Sequence, residues 1–315
     1  MRKIIAGFLI MISLFSLAGC GQEKKAAETD KTAKTITIGI MPDVESIPFI
    51  IAEKNGYFKQ EGVQVKIEPF KSAKDRDSAL QSGKLDGVIT DLLAVVFANE
   101  GGIDLRLISR NDGNIELMAG KDSGINSVQD LKGKSIGISS NTIMEYSLDQ
   151  MLAAEGMKAE DINKVAIPQL PTRLEMLQGG KIDAAILPEP LAGVAIKNGA
   201  KVLNSTDQMA NKAGAIAFTA KSLQESPDEI KAVFRAYNDA VEYLAQEPAS
   251  SYIDYVIEKQ GFPAGVKDGI QLPQYSKAEA PSEKIFNDVV QWMKDKQLIK
   301  GDYEYKDLVA ENVLR

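Results

Sequence analysis

Short runs of β-branched residues alternate with longer helical stretches along residues 35–315. Residues 36–40 (ITIGI) are the first such run, and a polar loop and a helical stretch come after them. Alternation of this kind is typical of α/β proteins, in which helices connect the strands of a mostly parallel sheet. The pattern therefore predicts the α/β class, with doubly wound, mostly parallel sheets that carry helices on both faces.

The same pattern occurs twice along the chain. Residues 38–40 (IGI) recur as residues 136–138, and residues 80–87 (LQSGKLDG) are matched by residues 177–184 (LQGGKIDA). One such match could arise by chance, because a glycine after a helix is a common C-terminal signal. Repetition in the same order predicts two similarly built lobes.

The expected division places residues 35–120 and 216–315 in lobe one and residues 121–215 in lobe two. Two lobes joined by crossing strands imply a cleft between them. We expect the hinge near residues 111–120 and 214–218.

The first 34 residues have the pattern of an export segment. Arg2 and Lys3 precede an apolar run over residues 4–17, and residues 17–20 (LAGC) are followed by an abruptly polar sequence. This predicts a signal peptide over residues 1–19. The final tetrapeptide resembles a bacterial lipobox, so Cys20 is the expected lipidation site. Residues 20–34 would then form the lipidated residue and a flexible tether on the extracytoplasmic face of the membrane. An incidental cysteine near an ordinary cleavage site is the alternative.

Composition narrows the function. The chain has no histidine and one cysteine, so histidine-dependent catalytic triads, histidine metal sites and multi-cysteine metal sites are excluded. The net charge of −7 lacks the basic character expected of a nucleic-acid-binding protein. Phosphate-loop, dinucleotide and hydrolase motifs are absent from the sequence. The sequence therefore indicates no enzyme, no cofactor and no metal site.

Polar loops after the strands are the candidate ligand contacts, because the carboxyl ends of parallel strands form the natural crevice. Each candidate has an alternative role as a helix cap that satisfies only a local N–H group. Thr142 with Glu145, for instance, fits a capping box. The candidates are Asp43, Glu45, Ser46, Ser72, Asp91, Asn141, Thr142 and Glu189.

Other charged residues have structural interpretations. Asp86 and Asp183 enter strands rather than leave them, so we expect structural roles for both. Arg76 and Arg173 are expected to be solvated surface charges.

Several segments together resemble a known family. Residues 45–49 (ESIPF), 56–62 (GYFKQEG), 80–87 and 132–138 (KGKSIGI) are similar to the ABC-importer substrate-binding proteins of the thiamine-pyrimidine, sulfonate, taurine and nitrate type. The resemblance implies a two-lobe type II periplasmic-binding fold. It also implies a monomer that closes on a small molecule and delivers it to a permease with a cytoplasmic ATPase.

The ligand stays open at this point. A sulfonate or nitrate site should offer free N–H groups, arginine or lysine, whereas the candidate loops hold Asp43, Glu45, Asp91 and Glu189. We therefore expect a neutral or amine-bearing ligand such as an aminopyrimidine precursor of thiamine. The alternatives are an anion-binding importer component and a ligand-sensing ectodomain. Some eukaryotic relatives synthesise the thiamine pyrimidine and consume their own histidine, and the absence of histidine disfavours that activity.

Overall fold

The structure is a computed structural model, and it describes residues 34–262 and 265–314. The expected signal peptide, Cys20 and nearly all of the expected tether lie outside these residues. In the described residues the strands are β1 (Ile36–Ile40), β2 (Val65–Pro69), β3 (Gly87–Asp91), β4 (Leu105–Arg110), β5 (Ile115–Ala119), β6 (Ser135–Ile138), β7 (Asn163–Ala166), β8 (Ala184–Pro188), β9 (Lys201–Ser205) and β10 (Gly214–Thr219).

Helices connect and cover these strands. They are α1 (Ile47–Lys54), α2 (Tyr57–Gln60), α3 (Ala73–Gln81), α4 (Leu92–Glu100), α5 (Ile143–Ala154), α6 (Leu170–Gln178), α7 (Leu191–Lys197), α8 (Ala220–Glu225), α9 (Pro227–Gln246), α10 (Ile253–Gln260), α11 (Glu283–Asp295) and α12 (Tyr305–Leu308). Short 3-10 turns occur at Gln129–Leu131, Ala159–Asp161, Ala249–Ser251, Val266–Asp268 and Glu311–Val313. Within the described ranges, no helix has the length and apolar character needed to cross a membrane.

The strands form two five-stranded sheets of the same topology. The first has the order β2-β1-β3-β10-β4 and the second the order β7-β6-β8-β5-β9. In each sheet four strands run in one direction, and the fourth strand of the order is antiparallel to its neighbours. This architecture confirms the predicted α/β class and its two similar lobes.

Successive residues of the central strands face opposite sides of each sheet, as the period of two requires. In β10, Ile216 and Phe218 join the cluster formed with α1, α9 and α10, whereas Ala215 and Ala217 join the cluster formed with α4 and α11. The second sheet alternates in the same way between two further clusters. Helices therefore cover both faces of both sheets.

The repeated glycines allow a close approach of side chains to the sheet. A Cβ on Gly39 would lie 2.7 Å from the Leu85 side chain, and one on Gly137 would lie 2.7 Å from the Ile182 side chain. A side chain at either position would require its neighbour to move. The internal similarity thus records a packing requirement that both lobes share.

Asp86 and Asp183 are structural, as predicted. The Thr37 amide donates to Asp86 at 2.8 Å, and the Ser135 amide donates to Asp183 at 2.8 Å. Each carboxylate therefore ties the entry of one strand to its neighbour, at equivalent places in the two lobes.

The two sheets are connected by two crossings, residues 111–114 and residues 206–213. Sheet membership differs from the expected division at both crossings. β5 pairs with β8 and β9, so Ile115–Ala119 lies in the second sheet although the division at residue 120 assigned it to lobe one. β10 begins at Gly214 and pairs with β3 and β4, so the return to the first sheet starts two residues earlier than expected. The exchanged strands are short apolar runs like their neighbours, and nothing in their composition marks the change of sheet.

Candidate functional site

The two crossings connect the carboxyl edges of the two sheets. β4 ends at Arg110, which pairs with Ala215 near the start of β10. β5 begins at Ile115, opposite Pro188 at the end of β8. Residues 111–114 join these points, and the five Cα–Cα steps from Arg110 to Ile115 span at most about 18 Å. The carboxyl edges, where the candidate loops lie, are therefore joined by a short segment.

Asp43 and Ser46 organise the loop after β1. Asp43 Oδ1 accepts hydrogen bonds from the Ser46 amide at 3.1 Å and from Ser46 Oγ at 3.0 Å. The Ser46 hydroxyl is fully buried and also lies 3.1 Å from Gln260 Oε1. Burial raises the pKa of Asp43 to about 6, against the lowering effect of Ser46. Ser46 therefore holds the loop in shape, and its hydroxyl faces protein rather than the cleft.

Glu45 lies against the first crossing. Asn111 Nδ2 donates to Glu45 Oε2 at 3.3 Å. A Cβ on Gly113 would lie 1.9 Å from Glu45 Oε1, so the carboxylate occupies the space that the missing side chain leaves. Burial raises the pKa of Glu45 well above its usual value, and the charges of Asp43 and Asp91 raise it further. Glu45 is thus a carboxyl group held at the joint between the lobes.

Asp91 caps α4 at the same edge. Its Oδ1 accepts from the Ala94 amide at 2.8 Å, and burial nevertheless raises its pKa to about 6. Ser72 caps α3 by accepting from the Asp75 amide at 3.2 Å, and it is half-buried. The structure therefore brings Asp43, Glu45 and Asp91 within electrostatic reach of one another and gives Ser72 a capping role.

Arg76 and Arg173 are buried, which makes the prediction of solvated surface charges wrong. Arg76 is 4% exposed and donates to the Ile89 carbonyl at 2.8 Å and to Thr90 Oγ1 at 2.9 Å. Arg173 is completely buried and donates to the Ile186 carbonyl at 2.7 Å. Each guanidinium lies beneath the carboxyl edge of its own sheet.

Arg173 also donates to the Ile167 carbonyl at 2.9 and 2.7 Å and to the Ser139 hydroxyl. Burial lowers its pKa to about 10. The side chains are buried because hydrogen bonds to main-chain carbonyls replace water, a compensation that composition alone does not reveal.

In lobe two, the loop after β6 is closed by its own side chains. Asn141 is exposed with a positive φ of 56°, and its amide donates to Glu145 Oε2 at 2.6 Å. Thr142 caps α5 by accepting from the Met144 amide at 3.2 Å. The Glu145 carboxylate therefore accepts from the Asn141 amide rather than from the Thr142 amide. The capping box expected between Thr142 and Glu145 does not form as predicted.

Glu145 belongs to an ion-pair group that reaches α11. Lys164 Nζ lies 2.8 Å and Lys296 Nζ 2.6 Å from Glu145 Oε1. Burial alone would raise the pKa of Glu145, but hydrogen bonds from both lysines outweigh it and lower the pKa to about 2. On the same helices Trp292 Nε1 donates to Asp149 at 3.0 Å. This α5–α11 contact joins a lobe-two helix to a helix that packs on lobe one.

Glu189 follows β8 at the carboxyl edge of lobe two. It is 2% exposed, and neither of its carboxylate oxygens has a hydrogen-bond partner among the described residues. Burial raises its pKa to about 7, and the charge of Glu116 adds to the effect. The backbone N–H groups of Gly193 and Gln271 lower the pKa, although neither forms a hydrogen bond of standard geometry. Glu189 is therefore no helix cap.

Four residues at this edge were not identified from the sequence as possible contacts. Arg76 and Arg173 are separated by the same number of residues as the matched segments 80–87 and 177–184. The internal repeat could therefore have indicated that the two arginines have equivalent roles. Asn111 and Gly113 lie at the crossing, where no motif or periodicity marks them. Within the described residues there is no group of three or more side chains arranged to hold a metal ion.

A separate cavity of about 330 Å³ opens between α3 and α4 of lobe one. Leu80, Val88, Phe97 and Leu105 supply much of its apolar lining. None of the eight predicted contact residues lines it. The cavity has no convergent carboxylates, so we place the candidate site at the carboxyl edges of the two sheets.

Comparisons with known proteins agree with this architecture. The crystal structure of the periplasmic aliphatic sulphonate binding protein SsuA from Escherichia coli has a TM-score of 0.75 to this chain at 17% identity, over 88% of this chain and 92% of that one. The fold is thus that of the two-lobed substrate-binding proteins of ABC importers. The model of the family described as NMT1/THI5 like matches residues 43–251. The chain belongs to this family.

Two relatives show the range of the similarity. A protein of Bacillus subtilis (strain 168), provisionally named as an aliphatic sulfonates-binding protein, is 28% identical over 79% of this chain and 77% of its own length. A 4-amino-5-hydroxymethyl-2-methylpyrimidine phosphate synthase of Saccharomyces cerevisiae is 24% identical over 84% of this chain and 81% of its own length. The relatives therefore include a binding protein and an enzyme.

Proposed function

We propose that this chain is the substrate-binding component of an ABC importer, anchored through lipidated Cys20 on the extracytoplasmic face of the membrane. It captures a small neutral or cationic molecule that carries hydrogen-bond donors, such as an aminopyrimidine or another amine. It acts as a monomer and delivers its ligand to a permease with a cytoplasmic ATPase. The observation that carries the ligand class is the cluster of Asp43, Glu45 and Asp91 at the lobe-one edge.

The negative charge of that cluster favours a ligand that carries hydrogen-bond donors. All three carboxyl groups have pKa values raised by burial, so their ionised forms are poorly compensated by the surrounding protein. An amine or amidine N–H group would stabilise the ionised forms, with charge-assisted hydrogen bonds of about 1.5 to 3 kcal/mol each. A sulfonate would add negative charge to the same place.

An anion-binding importer component is the second candidate, because sulfonate-binding proteins are among the similar chains. The buried Arg173 behind Ser139 is the structural feature that favours it. The N-terminus of α5 would be the natural anion position, and Glu145 already occupies it by accepting from the Asn141 amide. The geometry therefore supports the donor-bearing ligand better.

An enzyme of the kind named among the yeast relatives is a further alternative. The sequence has no histidine, so such an activity would require other residues for its proton transfers. A ligand-sensing ectodomain is distinguished by its partner: co-purification with a permease and an ATPase supports import, and co-purification with a sensor kinase supports sensing.

Isothermal titration calorimetry tests the ligand class with two probes, 4-amino-5-hydroxymethyl-2-methylpyrimidine and ethanesulfonate. We expect binding of the pyrimidine and a loss of affinity of about 10-fold or more in Glu45→Gln, since one charge-assisted hydrogen bond is removed. Asp91→Asn retains a capping oxygen but lowers the charge, and it should also weaken binding.

Glu258→Gln is the matched control, because Glu258 is exposed on the same lobe. It should bind the pyrimidine as the parent protein does. Binding of ethanesulfonate without binding of the pyrimidine would overturn the proposed ligand class.

A further inference from the structure

Two buried carboxylates in lobe two lack the partners that burial requires. Glu116 is 5% exposed and Glu189 is 2% exposed. Glu116 Oε2 and both oxygens of Glu189 have no hydrogen-bond partner among residues 34–262 and 265–314. A buried polar group without a partner is uncommon in native proteins, because it loses hydration without compensation. The pair therefore points to a ligand that supplies hydrogen-bond donors to both carboxylates.

Strand pairing places Glu116 close to the end of β8, where Glu189 follows. Glu116 pairs with Leu187 across the β5–β8 ladder. Glu189 lies two residues beyond Leu187, in the turn that directly follows β8. The charge of Glu116 raises the pKa of Glu189, so the two carboxylates lie within electrostatic reach of each other. The two groups form one acidic feature.

This feature lies at a contact between the lobes. A Cβ on Gly193 of α7 would lie 3.1 Å from Glu189 Oε2 and 2.1 Å from the Gly269 carbonyl oxygen. Gly269 directly follows the 3-10 turn Val266–Asp268, and Val266 packs in the core of lobe one. The backbone of the opposite lobe therefore closes directly over Glu189.

The first crossing connects this pair to the acids of lobe one. Glu45 lies against Gly113, and Asn114 Nδ2 donates to Glu116 Oε1 at 3.2 Å. Gly113 and Glu116 are three residues apart, a separation of at most about 11 Å in an extended chain. The acidic cluster at Glu45 and the pair of Glu116 and Glu189 therefore lie at the two ends of one short segment. A small organic molecule can bridge this distance.

We propose that Glu116 and Glu189 form a second cation-binding subsite of the cleft, so that the ligand carries two amino or amidine groups at opposite ends. One end binds the cluster of Asp43, Glu45 and Asp91. The other end supplies the missing donors to Glu116 and Glu189 as the lobes close. This inference rests on the proposed function, because it assigns the ligand class of the same cleft.

The test uses calorimetry with α,ω-diaminoalkanes of three to eight carbons and the matching n-alkylamines. We expect one or two diamines to bind at least 10-fold more tightly than the monoamine of equal length. In Glu189→Gln this advantage should fall to about threefold or less, while monoamine affinity stays within about threefold. Glu175→Gln, which changes an exposed residue of the same lobe, should leave both affinities unchanged.

The outcomes separate the two proposals. Binding of monoamines or of the pyrimidine without any diamine advantage overturns the second subsite and leaves the proposed function standing. An equal loss of monoamine and diamine affinity in Glu189→Gln also overturns it. Failure of every amine and of the pyrimidine to bind overturns the proposed function itself. Circular dichroism of each variant verifies that the fold is retained.

Discussion

The two lobes share a framework and differ at the edge that faces the cleft. Arg76 and Arg173 occupy equivalent positions, and each donates to a main-chain carbonyl of the central strand of its own sheet. The loops above them differ. In the loop after β1, Asp43 and Glu45 carry raised pKa values, whereas after β6 Glu145 pairs with two lysines and has a lowered pKa. Repeated features therefore build the lobes, and unrepeated ones define the chemistry of the site.

The largest expected effect tests the shared framework. Arg173→Met should lower the free energy of unfolding by about 3 to 4 kcal/mol, because the carbonyls of Ile167 and Ile186 lose their buried donor. Arg76→Met should cost less, since Arg76 has fewer buried acceptors. Urea denaturation measures both. Arg235→Met changes an exposed arginine and is the control; an Arg173 effect no larger than the Arg235 effect would refute the framework role.

The effect of Glu189 on stability at different pH values tests its contrast with Glu145, which is paired with lysines. Burial, then the charge of Glu116, raises the pKa of Glu189 from 4.5 to about 7. The folded state therefore holds a proton that the unfolded state releases, and stability falls as pH rises between these values. Glu189→Gln should be more stable than the parent protein by up to about 3 kcal/mol at pH 8, with little difference near pH 4.

Chemical denaturation at several pH values measures this difference. Parallel stability curves for the parent protein and Glu189→Gln would show that Glu189 is not a poorly compensated acid. Glu175→Gln provides the exposed comparison and should follow the parent protein at every pH.

A smaller effect is expected at the α5–α11 contact. Lys296→Met removes the 2.6 Å ion pair to Glu145, and the partly exposed lysine makes the expected loss about 1 kcal/mol. Trp292, the only tryptophan of the sequence, packs edge-on against Tyr146 with ring centroids 5.7 Å apart. Loosening the contact should shift its fluorescence emission to longer wavelength. Lys294→Met, on the same helix, should not; an unchanged spectrum in Lys296→Met would contradict this account.

The smallest effect separates capping from ligand binding. Ser72→Ala should lower the free energy of unfolding by about 0.5 to 1 kcal/mol, because the Asp75 amide loses its acceptor. Ligand affinity should stay within twofold of the parent value, as measured by calorimetry. A clear loss of affinity without loss of stability would instead make Ser72 a ligand contact.

The sequence predicted the framework better than the site. Gly39 and Gly137 lie in repeated segments, so the two lobes and their α/β class followed from the pattern. The change of sheet at Ile115 was missed because an exchanged apolar strand looks like any other. The burial of Arg173 depends on carbonyl groups that only the folded chain brings together.

The candidate site residues also differ in whether the sequence alone could predict their roles. Ser46 satisfies its own loop, a role that depends on Gln260 more than two hundred residues away. Glu116 was missed because its position opposite Leu187 requires the strand register. Glu45 was singled out because the loop after a first parallel strand is a general binding position.

Native mass spectrometry of the protein purified without removal of its ligand tests the central claim most directly. The account predicts a retained small molecule with amine or amidine groups, released when Glu45 is changed to Gln and kept in Glu258→Gln. A retained sulfonate or other anion that survives the Glu45 substitution would contradict it.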